Sequence, residues 1–105
     1  MIVRSAYLEG SVAAADREAF DRQMSQTVMA AISTYPGIRD ARLRRIRVAD
    51  EGAPPVYMVF DLYFDSLEDM ETALQSPIRQ RVRQTIGEAM QLFKGRVYHL
   101  VFEQQ

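Results

Sequence analysis

Tyr57-Met58-Val59-Phe60-Asp61-Leu62-Tyr63-Phe64-Asp65, running on into Ser66-Leu67-Glu68-Asp69 and later Ser76-Pro77, is the stretch on which the fold turns. Residues 57–65 alternate between two side-chain sets, as a strand requires. Met58, Phe60, Leu62 and Phe64 form a wholly apolar set that belongs in a core. Tyr57, Val59, Asp61 and Tyr63 form a second set, mostly apolar but carrying an acid and two phenols. A sheet with two covered faces, one of them holding a few polar groups, is a way to build a ligand pocket. Ser66 with Asp69 fits a capping box, so a helix starts directly after the strand. Ser76-Pro77 interrupts it, because proline is welcome in the first turn of a helix and not inside one.

Working outward, residues 2–8 read as a strand and residues 10–15 as a loop. Asp16 can cap a helix that carries Phe20, Met24, Thr27, Val28, Ala31 and Tyr35 on one apolar face. Pro36-Gly37 stops it. Residues 38–49 read as a second strand, and residues 50–55 as a hairpin loop rich in Gly and Pro. After Pro77 a helix follows whose apolar face is Ile78, Val82, Ile86, Met90 and Phe93. Gly95 ends it, and residues 96–103 read as the last strand.

The chain has 105 residues, which fits a single domain over 1–105 with a modest core. No apolar run is long enough to span a bilayer, and the start lacks the pattern of a signal peptide, so a cytoplasmic protein is expected. There is no Cys and one His, which excludes disulfides, thiolate chemistry and a multi-histidine metal site. Neither a metal nor a cofactor is expected. A net charge of −1 gives no general attraction to nucleic acid.

Strand, helix, strand, strand, helix, strand with right-handed crossovers predicts an α+β, ferredoxin-like βαββαβ sandwich. Its four-stranded antiparallel sheet carries the helices on one face. In the last strand Tyr98, Leu100 and Phe102 oppose Val97, His99 and Val101; in the first, Ile2, Ala6 and Leu8 oppose Val3, Ser5 and Tyr7. The richer sets are expected to face the helices. The poorer ones still leave Val3, Tyr7, Tyr57, Val59, Tyr63, Val97 and Val101 on the open face, too large a patch for water. At about 25 cal/mol per Å², burying it supplies several kcal/mol for association. A homodimer joined sheet face to sheet face is expected.

The landmarks Phe20, Tyr35-Pro36-Gly37-Ile38-Arg39, Ala53-Pro54-Pro55, Phe64-Asp65-Ser66-Leu67-Glu68 and Ser76-Pro77 together resemble the EthD family, named for a protein of ethyl tert-butyl ether degradation. The resemblance runs from the first strand to the last. It implies a dimeric α+β barrel, with a cavity between sheet and helices or between sheets. Relatives often carry a His late in the first helix, and some act as dehydratases on polyketide-like aromatics. Here that region reads Thr27-Val28-Met29-Ala30-Ala31-Ile32, without a His.

The polar groups fall into a candidate site. His99 shares its expected face with Tyr7, Asp61 and Tyr63, and strand order puts His99 and Asp61 two strands apart, roughly 9–10 Å. Tyr7 lies between them. His99 with Asp61 could supply acid–base catalysis, since imidazole titrates near neutrality. The plainer reading makes His99 an interface residue and pairs Asp61 with an arginine of the second strand. Alternation divides that strand's arginines: Arg42 and Arg44 share one face and Arg39, Arg45 and Arg47 the other, as on a charge-protected edge. Arg42 and Arg44 join Tyr7 and Tyr63 as candidate ligand contacts. Arg79, Arg81 and Arg83 read as solvated helix surface.

Two functional classes stay open. One is a metal-free, cofactor-independent enzyme acting on a small hydrophobic or aromatic substrate in a catabolic or biosynthetic pathway, as a monooxygenase or dehydratase of the same barrel architecture. The other is a non-catalytic accessory protein that holds such a metabolite. The absent helix His favours the second, and the His, Tyr and Asp group favours the first.

Overall fold

Alternating apolar residues in β3 (Val56–Phe64) place this strand inside a four-stranded antiparallel sheet of order β2-β3-β1-β4, formed with β1 (Ile2–Val12), β2 (Asp40–Arg45) and β4 (Phe93–Glu103). The computed structural model describes residues 1–105. Helices α1 (Arg17–Gln23) and α2 (Met29–Ile32) follow β1, and α3 (Leu67–Gln75) and α4 (Ile78–Ala89) follow β3. Met58, Phe60, Leu62 and Phe64 are all buried beneath the helices, as their alternation requires. This is the α+β, ferredoxin-like arrangement. No helix is long and apolar enough to cross a membrane.

The helical regions end earlier than expected, α2 at Ile32 ahead of Pro36-Gly37 and α4 at Ala89, while the break at Ser76-Pro77 falls as expected. Ser66 accepts from the Asp69 backbone N–H at 3.1 Å and opens α3. Ser76 takes extended backbone ahead of Pro77, which separates α3 from α4. Asp16 sits at the start of α1 but makes no side-chain cap bond, and a 3-10 turn over Ala14–Asp16 precedes it. Between α1 and α2 lies a π turn, Met24–Val28. Phe20, Met24, Val28 and Ile32 are all buried at intervals of four residues. In a regular α-helix that spacing overshoots a full turn by about 40° each time. The wider π turn takes up the excess, so all four side chains stay on one face.

Three boundaries differ from expectation. β1 runs on through Gly10 to Val12, and β4 begins at Phe93, so Gly95 is not a helix stop. Gly10 and Gly95 pair across the two strands with φ of 151° at both. A Cβ at either would collide with the backbone carbonyl of Lys94 or Glu9, and glycine there permits the close approach. β2 is shorter than expected because its last partner on β3 is Met58. Beyond lies Pro54-Pro55, which offers no N–H to continue a ladder.

The faces differ in two places. Between Leu8 and Glu9 the β1–β3 register slips, with Leu8 opposite Met58 and Glu9 opposite Val56, leaving Tyr57 as the extra residue of a bulge. Tyr57 therefore leaves the open face. Its ring packs on Phe20 and Phe93, and its hydroxyl donates to Asp21 at 2.6 Å. Burial and that bond push its pKa up to about 12. The second correction concerns all of β4. Ala6 pairs with His99 and Tyr7 with Tyr98, and opposed residues share a face. Val97, His99 and Val101 thus lie on the helix side, and Tyr98, Leu100 and Phe102 on the open side.

Candidate functional site

On the open face, β1 contributes Val3, Ser5 and Tyr7, β3 contributes Val59, Asp61 and Tyr63, and β2 contributes Arg42 and Arg44. Asp61 is buried, and both its oxygens are engaged. Ser5 Oγ donates to Oδ1 at 2.5 Å, while Arg44 forks across the carboxylate through Nε to Oδ2 at 2.6 Å and Nη2 to Oδ1 at 3.0 Å. The hydrogen bond to Asp61 holds the Arg44 pKa above its ordinary value. Tyr7, Asp61, Tyr63 and Arg44 surround a shallow depression of about 430 Å³. Arg42 lies beside it, over the Tyr63 ring at 5.6 Å and tied to Asp40 at 2.7 Å. Tyr7 stacks on Tyr98 with centroids 5.2 Å apart.

His99 is not part of this group. The expected convergence of His99 with Asp61, Tyr7 and Tyr63 fails, because His99 turns toward the helices and Asp61 away from them. The sheet itself separates them, and no shared acid–base pair exists.

The helix side holds the more enclosed cavity, about 300 Å³ between sheet and helices. Its walls are Ala6, Phe60 and Leu62 from the sheet, Ile32 from α2, Leu74 from α3 and Ile86 from α4. Its polar groups come from four elements. Arg4 projects from β1, His99 from β4, Tyr35 from the turn after α2, and Arg79 and Arg83 from α4. Arg79 and Arg83 stand one helical turn apart and share a face, which places both at the cavity; Arg79 is partly buried there, while Arg83 stays exposed at its rim, as expected of solvated helix surface.

The electrostatics are unusual. No carboxylate lies within 4.0 Å of Arg4, Arg79 or Arg83, whereas Arg22, Arg39, Arg42, Arg44, Arg45 and Arg96 all have one. Burial, and then repulsion from Arg79, lowers the Arg4 pKa. Desolvation, followed by the Arg4 and Arg79 charges, pushes the His99 pKa down to about 4, so the imidazole is neutral at pH 7. Burial raises the Tyr35 phenol. The set offers cationic donors, a neutral imidazole and a protonated phenol around an apolar chamber. No group of three or more His, Asp or Glu side chains converges as a metal site.

Three of these residues carried a sequence signal. Arg4 interrupts an otherwise apolar inward set, and Arg79 and Arg83 are spaced by four. His99 was legible as a candidate, but the polar groups that share its cavity are Arg4, Tyr35, Arg79 and Arg83.

No family model matches the chain, and no curated protein matches its sequence. Solved structures do share its shape. An ethyl tert-butyl ether degradation (EthD) family protein from Bacillus halodurans superposes with a TM-score of 0.77 at 22% identity, over 100% of both chains. SnoaB, a cofactor-independent oxygenase from Streptomyces nogalater, gives 0.61 at 14% identity over 99% of this chain and 91% of that one. A dimeric protein of unknown function and ferredoxin-like fold from Bacteroides fragilis gives 0.65 at 14%, over 98% and 96%. At these identities the likeness establishes the fold, and the fold is the ferredoxin-like one found in EthD and cofactor-independent oxygenase structures.

Proposed function

We propose that this is an EthD-like protein that binds a small hydrophobic metabolite in the helix-side cavity, within a catabolic or biosynthetic pathway. The carrying observation is the cavity itself: about 300 Å³, walled mainly by Ile, Leu, Phe and Ala, with polar groups gathered from several elements. Concave, mostly apolar chambers with a few convergent polar groups are the usual form of small-molecule sites. The full-length likeness to an EthD family structure supports the family reading.

The test uses Gly87, which borders the cavity on α4 and has nothing within 4 Å of where a Cβ would stand. Gly87→Phe should fill the chamber without backbone strain. The neutral dye N-phenyl-1-naphthylamine should brighten with the native chain and stay dark with a folded Gly87→Phe variant. Equal brightening by both would overturn the reading.

A homodimer through the open sheet face is part of the proposal. Leu100 and Phe102 are 46% and 42% exposed there, next to the Tyr7–Tyr98 stack. An exposed apolar face of this kind needs a cover, and the Bacteroides fragilis protein of similar fold is dimeric.

A catalytic reading is favoured by one observation, the neutral His99 beside Tyr35 and the cationic group. His99, held as a neutral imidazole, could then hydrogen-bond a substrate oxygen, while Asp61, on the other face and fully engaged, acts as an interface anchor. His99→Ala would abolish turnover in that case, and only weaken binding if the protein is an accessory one.

A further inference from the structure

We infer that the occupant of the helix-side cavity is an organic acid, its carboxylate held by Arg4, Arg79 and Arg83 and its apolar body packed against Phe60, Leu62 and Ile86. The inference rests on the reading of this cavity as the binding site, and it names the chemical class that the site takes.

The cavity holds positive charge that no side chain of the protein answers. This chain has 14 acidic residues against 13 basic ones, so carboxylates are plentiful. Six arginines elsewhere hold one within 4.0 Å, most of them on exposed surface where little is gained. The three at the cavity have none; Arg17, Arg47 and Arg81 also lack one, but they are exposed. Arg4 and Arg79 are the unpaired arginines that are partly buried, and they repel one another. Partly buried like charges without a counter-ion oppose folding, and neutral side chains of similar length would cover the same walls. An incoming anion relieves the repulsion and receives charge-assisted, fork-shaped hydrogen bonds, which suit a planar carboxylate.

The rest of the chamber sets the body. Its lining is mostly apolar, so a bare inorganic anion would leave most of the volume without matching contacts. His99, uncharged at neutral pH, adds a hydrogen-bonding group without adding a cation. The occupant is therefore amphipathic, with an acid head at the Arg cluster and an apolar remainder inside.

The test compares 2-naphthoate with its neutral isostere 2-naphthamide on the native full-length chain, by calorimetry, with inorganic phosphate as a third probe. Naphthoate should bind about tenfold or more tighter than the amide, the scale of one charged hydrogen bond. Arg79→Met and Arg83→Met should each shrink that preference, and the double variant should bring it close to one. Arg81→Met, on the same helix but away from the cavity, should leave it intact. Arg79→Lys, which keeps the charge and loses the fork, should fall between. Equal binding of acid and amide, or a preference that survives the double variant, overturns the inference. Phosphate binding as tightly as naphthoate overturns the amphipathic occupant. In each of these cases, dye binding blocked by Gly87→Phe would leave the cavity reading standing. If neither the dye nor either naphthyl probe binds, both readings fall.

Discussion

Arg44 lays its guanidinium across Asp61, so a carboxylate side chain only 3% exposed is answered by an arginine still 58% exposed. The pair joins β2 to β3 on the open face, and Ser5 extends it to β1. Removing one partner leaves the other's charge uncompensated near the sheet surface. Arg44→Leu should destabilise the chain by about 2 kcal/mol, discounted for the open arginine. Replacing both, Asp61→Leu with Arg44→Leu, should recover much of that loss. Urea denaturation of the two single variants and the double one measures the coupling. Additive losses would show that the pair is not coupled.

The glycine pair of β1 and β4 should be intolerant of any side chain. Gly10→Ala or Gly95→Ala forces a Cβ against the facing backbone at a φ that L residues rarely adopt. Either change should cost about 1–3 kcal/mol, visible as a lowered denaturation midpoint. Gly87→Ala is the contrasting case. It sits in open space on a helix and should stabilise by about 0.5–1 kcal/mol.

His99 should make stability pH-dependent in a defined direction. Its folded pKa of about 4 lies below the ordinary 6.5, so between these values the unfolded chain binds more protons. Stability should therefore be fully present above pH 6.5 and fall as the pH drops toward 4. The groups facing the imidazole are Arg4 from β1, Arg79 and Arg83 from α4, and Tyr35. His99→Gln should flatten this part of the curve. Because His99 is the only histidine, its ring proton resonance gives the titration directly, and a midpoint near 6.5 would rule out the downward shift.

Leu100→Asp tests the proposed dimer. The residue is 46% exposed on the open face of β4, so the folded protomer tolerates the charge while an apposed sheet does not. Light scattering should return a dimer mass for the native chain and a monomer mass for a variant with unchanged circular dichroism. Val59, only 3% exposed within the protomer, would not separate dissociation from unfolding.

The sequence carried the strand order, the inward set of β3 and the break at Ser76-Pro77, because each rests on periodicity or on a backbone constraint; the first helical region ends at Ile32, four residues before Pro36, its expected stop. It did not carry the facing of β4. Both sets of that strand are largely apolar, so alternation separates them without saying which is inside. The richer set is the outward one. Tyr98, Leu100 and Phe102 lie outward, and His99 moves to the opposite chamber from Asp61. Tyr57 escaped for a different reason: a bulge inserts one residue, and period-two reasoning cannot register it. Arg79 and Arg83 were hidden by their neighbour Arg81, which made a spacing of four look like a run of alternating surface charges.

The wide turn at Met24–Val28 ties the shape of the chamber to a count of residues. The turn already holds one residue more than an ordinary α-helix would, and one further residue inserted after Val28 would swing everything beyond it about 100° around the axis. Ile32 would leave the chamber wall, and the entry angle of the chain toward Tyr35 would change with it. Loss of dye binding in such an insertion variant, with the helix content preserved, is the expected result. What the chamber admits is thus governed by helix length as well as by composition, and a single-residue insertion or deletion far from any charged group would be enough to retune it.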